Sequence, residues 1–275
     1  MPGGRAPPRA AWRHMRAEES QSVAKPVYRA PALDKGLDIL ELLAGREAPL
    51  AMPDIARELG RSKAEIYRML VALEARGYIE RGANDERYQV TGRLFELGMR
   101  APPIRNLHDA ALPVMHELAD NTRQSCHLSV LSVDHIVVVS RVESPAAVGF
   151  SVRVGYRVPV LDSTSGRVLC AFQPQGRQAK LLREIGKGAP SKAAVTRFLD
   201  QLPEIAQQGF VVEASRTAEG IHDVAAPIFS GEDLGAVACL SVPVLTHRYL
   251  QVPMDQIVQQ ARKAAQDISE RMQRG

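Results

Sequence analysis

Between Ala51 and Ile79 the apolar positions fall into two helical patterns separated by a short polar break. Ile55, Ala56 and Leu59 lie on one face of a predicted helix Pro53–Leu59, with Pro53 at the first helical position, where its missing N–H is harmless. Gly60 follows as a residue that accepts the left-handed conformation of a C-terminal cap. Ile66, Met69, Leu70 and Leu73 then recur at i, i+3, i+4 and i+7 along Lys63–Arg76. Ser62 precedes that run and Glu65 stands three residues on, the spacing of a capping box. Upstream, Leu33, Leu37, Leu40 and Ala44 predict a further amphipathic helix. Downstream, the strand-like runs Tyr78–Arg81 and Arg87–Val90 flank the turn-rich loop Gly82-Ala83-Asn84-Asp85-Glu86. Three helices followed by a hairpin describe a winged helix-turn-helix.

The pattern changes after the hairpin. Leu94, Phe95, Leu97 and Gly98 predict a linker helix that stops before Pro102-Pro103, which marks a domain boundary. Leu107–Asn121 is amphipathic, and His127–Val133 and Ile136–Val142 alternate as strands about Asp134. Val148–Val154 and Tyr156–Val160 predict a second hairpin around Gly155. Thr164–Phe172, Gln178–Ile185, Ala193–Gln208 and Met254–Met272 read as helices, and Phe210–Glu213, His222–Phe229 and Ala236–Val242 as strands. The predicted class is α+β: residues 1–29 a disordered basic tail, 30–92 the winged helix-turn-helix, 93–104 a linker helix and 105–275 an antiparallel sheet flanked by helices.

Composition narrows the class without naming a function. The chain of 275 residues is 45% hydrophobic and 24% charged, as for an ordinary globular protein of two domains. No run approaches the ~18 apolar residues of a membrane span. Cys126, Cys170 and Cys239 are scattered and odd in number, which predicts reduced thiols and a cytoplasmic chain. The net charge of +4 says nothing about the reading head, because Arg5, Arg9, Arg13, Arg16, Lys25 and Arg29 against Glu18 and Glu19 account for all of it. Residues 31–100 carry 11 basic and 12 acidic side chains, so only the placement of charge is informative there.

That placement favours DNA. On the helix after Ser62, the residues opposite the apolar stripe are Ala64, Tyr67, Arg68 and Val71, flanked by Lys63 and Glu65. A small residue, an aromatic ring and cations at the start of an exposed helix suit a major groove, where Arg68 can fork onto a guanine edge and Lys63 can meet phosphate. Arg81 and Arg87 stand near the tip of the wing, and Arg29 is the tail cation nearest the folded domain. The plain alternative is a helical hairpin with a solvated face.

The order of the segments ALDKGLDILELL, DIARELGRSKAEIYRMLVALEARGYIER and RYQVTGRLFELG resembles the IclR family of bacterial transcription regulators, and the resemblance runs from about Ala30 onward. It implies a DNA-reading winged helix, a linker helix that pairs subunits into a homodimer or dimer of dimers, and a GAF-like domain that senses a small organic acid. The expected partners are double-stranded operator DNA and that acid, with no cofactor, metal or membrane.

The loop Asp162-Ser163-Thr164-Ser165-Gly166-Arg167 joins a predicted strand to a helix, whose first N–H groups and dipole suit a carboxylate or phosphate. An N-capping loop is the bland reading of the same residues. The resemblance implies that the backbone amides of Thr164 and Ser165 hold the effector's carboxylate, with Gly166 beside them in the site and Phe150 and Val158 as apolar walls. It places Glu213, Ile221, Asp223 and Ser241 around the ligand, through EGIHDVAAPIF and ACLSVP. Leu161 stands where many members have histidine, and Asp223 where one pocket type has a thiol. Glu213 and Asp223 together would repel an anion unless one is protonated or accepts from a ligand hydroxyl, which predicts a hydroxyl-bearing acid, aromatic if it rests on Phe150.

Enzyme chemistry finds no constellation. There is no G-x-S-x-G elbow and no phosphate-cradling glycine loop, and His222 and Asp223 are adjacent on a strand and point apart. The reading is a ligand-responsive regulator, a repressor of a catabolic operon. The alternatives are a cytoplasmic sensor whose winged helix contacts protein, and an enzyme on the α+β domain.

Overall fold

Helix ends explain the first unit. The computed structural model describes residues 30–82, 85–231, 234–246 and 251–274; the expected tail with Arg29, and the wing-tip pair Ala83-Asn84, lie outside them. Two compact units divide between Arg105 and Asn106. In the first, α1 (Pro31–Ala44), β1 (Leu50–Ala51), α2 (Met52–Glu58), α3 (Lys63–Ala75), β2 (Ile79–Arg81), β3 (Arg87–Val90) and α4 (Arg93–Arg100) follow in order. Both α2 and α3 close on a left-handed glycine. Gly60 (φ 61°) donates to Arg57 O while Arg61 donates to Ala56 O, and Gly77 (φ 72°) donates to Glu74 O while Tyr78 donates to Leu73 O. These paired bonds satisfy carbonyls that a helix end leaves open, and they aim the chain into the next element.

The core of this unit is Ile39, Leu40, Leu43, Ile55, Ala56, Ile66, Leu70, Ile79 and Tyr88. The stripe expected on α1 is corrected: Leu40 is buried, but Leu33 and Leu37 are 62% and 47% exposed, and Ile39 and Leu43 take the inner face. A leucine spacing of four or three alone does not choose between two apolar faces. The wing is also larger than expected, because β1 joins it in the order β1-β3-β2, with Leu50 opposite Tyr88 and Ile79 opposite Val90.

The linker helix α4 ends at Arg100, and Pro102 opens α5 (Pro102–Thr122) rather than a loop. Proline fits a helix's first turn as well as it breaks an interior, so one feature ends α4 and begins α5.

The second unit is a three-layer arrangement. An antiparallel sheet in the order β6-β5-β4-β9-β8-β7 is built from β4 (Cys126–Ser132), β5 (His135–Val142), β6 (Arg157–Pro159), β7 (Val211–Ala214), β8 (Ile221–Phe229) and β9 (Ala236–Leu245). One face, with Leu128, Val224, Ala226, Leu240 and Val242, packs on α5 and on α9 (Met254–Arg274). The other, with Ile136, Ala225 and Cys239, packs on α6 (Thr164–Ala171), α7 (Gln175–Gly188) and α8 (Lys192–Gln208).

The expected hairpin Val148–Val160 is corrected. Residues 143–156 are irregular, and the second arm pairs with β5 through Ile136 and Val158. Alternation is present at Val148 and Val154, yet they are 69% and 53% exposed, so no buried face holds them in a strand.

Candidate functional site

Ser62 Oγ accepts from the Glu65 N–H at 3.3 Å while a Glu65 carboxylate oxygen accepts from the Ser62 N–H at 3.2 Å, the reciprocal bonds of a capping box. Lys35 also pairs with Glu65. The Lys35 bond, with the Ser62 bonds behind it, holds the Glu65 carboxyl down to about 2. Glu65 is therefore committed to fixing the start of α3. Lys63, Ala64, Tyr67, Arg68 and Val71 are exposed, and Tyr67 and Val71 count among the large exposed apolar side chains. On the wing, Arg81 pairs with Glu86 at 2.9 Å and Arg87 with Asp85 at 3.7 Å. Exposed pairs of this kind are worth ~0–1 kcal/mol and exchange readily for a phosphate.

The second polar cluster is largely shielded from solvent, with Glu213 and Asp223 half-buried and its α6 members buried. A 3₁₀ turn, Val160–Asp162, leads into Ser163, whose Oγ accepts from Gly166 N at 3.2 Å and starts α6. Every residue of α6 is buried, and a Cβ on Gly166 would overlap the Val160 carbonyl oxygen. Gly166 thus lets the helix start lie against the turn, and its N–H is already used.

Thr164 Oγ1 lies 2.6 Å from a Glu213 oxygen and 3.1 Å from an Asp223 oxygen. Glu213 and Asp223 are register partners on β7 and β8, so the sheet holds both acids under α6. Arg167, one turn into α6 and 2% exposed, pairs with Glu213 and donates to Gln201 Oε1 at 3.1 Å. Beside these, Ser165 Oγ and Ser241 Oγ are 2.9 Å apart, with Cys239 Sγ 3.7 Å from Ser241. Burial pushes the Asp223 carboxyl up and the Cys239 thiol up to about 12, so the thiol stays protonated and inert. Burial also lowers Arg167 to about 10, which leaves it cationic at neutral pH.

Comparison with known proteins supplies the family. Residues 32–83 match the profile described as the IclR helix-turn-helix domain, and residues 103–270 match the bacterial transcriptional regulator IclR C-terminal domain. The chain belongs to the IclR family.

It is 27% identical over 241 residues to the HTH-type transcriptional regulator KdgR of Escherichia coli, spanning 86% of this chain and 91% of that one. It is 30% identical over 200 residues to the glycerol operon regulatory protein of Streptomyces coelicolor, spanning 72% and 78%. In fold it is similar to an IclR homolog from Microbacterium hydrocarbonoxydans complexed with 4-hydroxybenzoate, at 23% identity, TM-score 0.73 and coverage of 89% and 100%. An IclR regulator from Alicyclobacillus acidocaldarius gives 25% identity, TM-score 0.70 and coverage of 90% and 99%. As an IclR-type protein the chain is a DNA-binding transcription regulator with a small-molecule domain, and not an enzyme. Among the described residues, no helix is long and apolar enough to cross a membrane.

Of the residues expected at the effector site, the structure gathers Thr164, Ser165, Glu213, Asp223 and Ser241. Ile221 is buried and shares the Asp223 face of β8, two residues away. Val158 packs in the apolar layer with Val160 and Val168, and Phe150 is half-buried in the irregular segment. His222 turns to Thr246 Oγ1 at 3.3 Å, away from Asp223, as strand alternation requires.

Arg167, which the sequence places in the polar loop without a role of its own, is the cation of this cluster. It pairs with Glu213, so the two carboxyl groups expected here are one ion-paired carboxylate and one carboxyl, Asp223, whose pKa burial pushes up. The available signal was a lone arginine among small and apolar residues in α6.

Proposed function

We propose that this regulator represses a catabolic operon as a homodimer, assembled further into a dimer of dimers, and releases operator DNA when a small organic acid binds beneath α6. In this reading, the exposed face of α3 enters the major groove. Ala64 allows close approach, Arg68 reads a base, and Lys63, Arg81 and Arg87 meet phosphate or minor groove. Ser62 and Glu65 fix the N-terminal end of that helix. Apolar residues of α4, where Leu94, Phe95 and Leu97 are 37%, 70% and 55% exposed, meet a second copy.

The observation that carries the effector assignment is the group at the start of α6 formed by the buried Thr164 and Arg167 with the half-buried Glu213 and Asp223. A carboxylate there finds the Thr164 and Ser165 amides, the helix dipole and the Arg167 charge. The polar lining beyond that carboxylate suits an acid that also bears a hydroxyl. The acid alters DNA affinity only by binding the two quaternary arrangements unequally. 4-Hydroxybenzoate, bound by one structural neighbour, is the natural first probe. A melting-temperature screen of hydroxybenzoates, hydroxy acids and keto acids tests the assignment, since a ligand of the folded state stabilises it. A rise with hydroxy acids is expected; tight binding of a simple keto acid, with none by hydroxy acids, would reject it.

A further inference from the structure

Two residues on the sheet beneath α6 have polar atoms that nothing satisfies. His127 and Ser129 lie two apart on β4, and their register partners on β9 are Ser241 and Cys239. The faces are fixed by their neighbours. Leu128 and Val130 belong to the layer against α5 and α9, and Leu131 to the layer against α6. Alternation therefore puts His127 and Ser129 on the α6 side, where Ser241 already bonds Ser165. Side chains directly opposite on paired strands are neighbours, so the strip His127–Ser129 continues the hydroxyl cluster away from the two acids.

His127 is 8% exposed and Ser129 0%, yet His127 Nδ1 and Ser129 Oγ have no hydrogen-bond partner. Such atoms are rare in a folded chain, because burial removes their water without return. On the same face Ser165 pairs with Ser241 and Thr164 with Glu213 and Asp223, while Arg167, although paired through its terminal nitrogens, also keeps an unpartnered Nε.

The chemistry of the pair selects its guest. Burial alone lowers His127 to about 4, so the ring is uncharged at neutral pH, with one nitrogen donating and one accepting. Ser129 both donates and accepts. Two neutral groups suit a neutral oxygen rather than a second carboxylate. We infer that His127 and Ser129 form the far end of the effector site and hydrogen-bond a hydroxyl or carbonyl oxygen of an acid whose carboxylate sits at the start of α6.

This rests on the acid-sensing reading above. The test uses the full chain, the variants Ser129→Ala and His127→Phe, and two matched pairs of probes: 4-hydroxybenzoate with benzoate, and lactate with propionate. Wild type should favour the hydroxy member of one pair by roughly five- to tenfold in affinity, the worth of one added hydrogen bond. That advantage should fall to about one in both variants, while binding of the matched deoxy acid is kept. Without ligand, Ser129→Ala should not lower the melting temperature, because no protein partner is lost.

A lower melting temperature in unliganded Ser129→Ala would overturn the inference by giving the hydroxyl a structural bond. So would a hydroxy preference that survives both variants, or wild type showing none although the acids bind. If none of the four acids shifts the melting temperature, the acid-sensing reading fails and this inference falls with it.

Discussion

Arg68 stands exposed on α3 beside Ala64 and Tyr67, whereas Arg167 is 2% exposed and shared among Glu213, Gln201 and Thr164. The first belongs to a surface whose polar groups make short-range, exchangeable contacts: Arg81 with Glu86, Arg87 with Asp85, Gln89 with Glu80. The second belongs to a set drawn from α6, α8, β7 and β8, in which Arg167 and Thr164 are buried, Glu213 and Asp223 are half-buried, and all are held in place by the fold. A surface that must release a polyanion benefits from partners of similar, small worth. A site that must discriminate a small anion benefits from polar groups that have no alternative to it. The same chain holds arginine in both settings.

The largest effect should come from the buried arginine. Arg167→Met leaves Glu213 beneath α6 without its cation, and should lower stability by about 3 kcal/mol in urea unfolding. Arg68→Met should stay within about 0.5 kcal/mol. Equal losses would erase the contrast. Next, Arg68→Ala should relax base preference by roughly 1–3 kcal/mol at one position of the DNA upstream of its own gene. Lys63→Ala should weaken all sequences alike and reduce the salt slope by about 1, and gel retardation over a salt series separates the two.

Ser62→Ala should remove about 1 kcal/mol from the first unit, as loss of an N-cap does, measurable by amide exchange in α3. The remaining effects are in pH. Glu65 has its pKa depressed from 4.5 to about 2, so its contribution is present above pH 4.5 and is lost as pH falls toward 2. His127 is depressed from 6.5 to about 4, so its contribution is complete above pH 6.5 and is lost as pH falls through 4. Melting temperature measured over pH 4–6.5 should therefore fall more steeply in wild type than in His127→Phe. Coincident curves would mean that the imidazole is solvated.

How much could be read in advance follows the same division. The capping box at Ser62 and Glu65, the glycine after each helix and the exposed face of α3 depend on residues within a few positions of one another, so their spacing states them. The wing's third strand, Leu50–Ala51, is two residues long and exists only because β3 offers it an edge. The irregular segment before β6 had the alternation of a strand but no partner, which sequence does not record. At the proposed effector site, the resemblance to the family named Thr164, Glu213, Asp223 and Ser241. Arg167 is separated from Glu213 by 46 positions, and its role became visible only when β7 was placed under α6. The unsatisfied atoms of His127 and Ser129 have no sequence signature, since both residues are ordinary in strands until their surroundings are known.

The most direct test is an anisotropy titration of the duplex upstream of its own gene with full-length protein, with and without an acid that raises the melting temperature. Coupling of the usual size predicts DNA affinity roughly 5–150-fold weaker with the acid bound. An affinity unchanged by an acid that demonstrably binds would contradict the account.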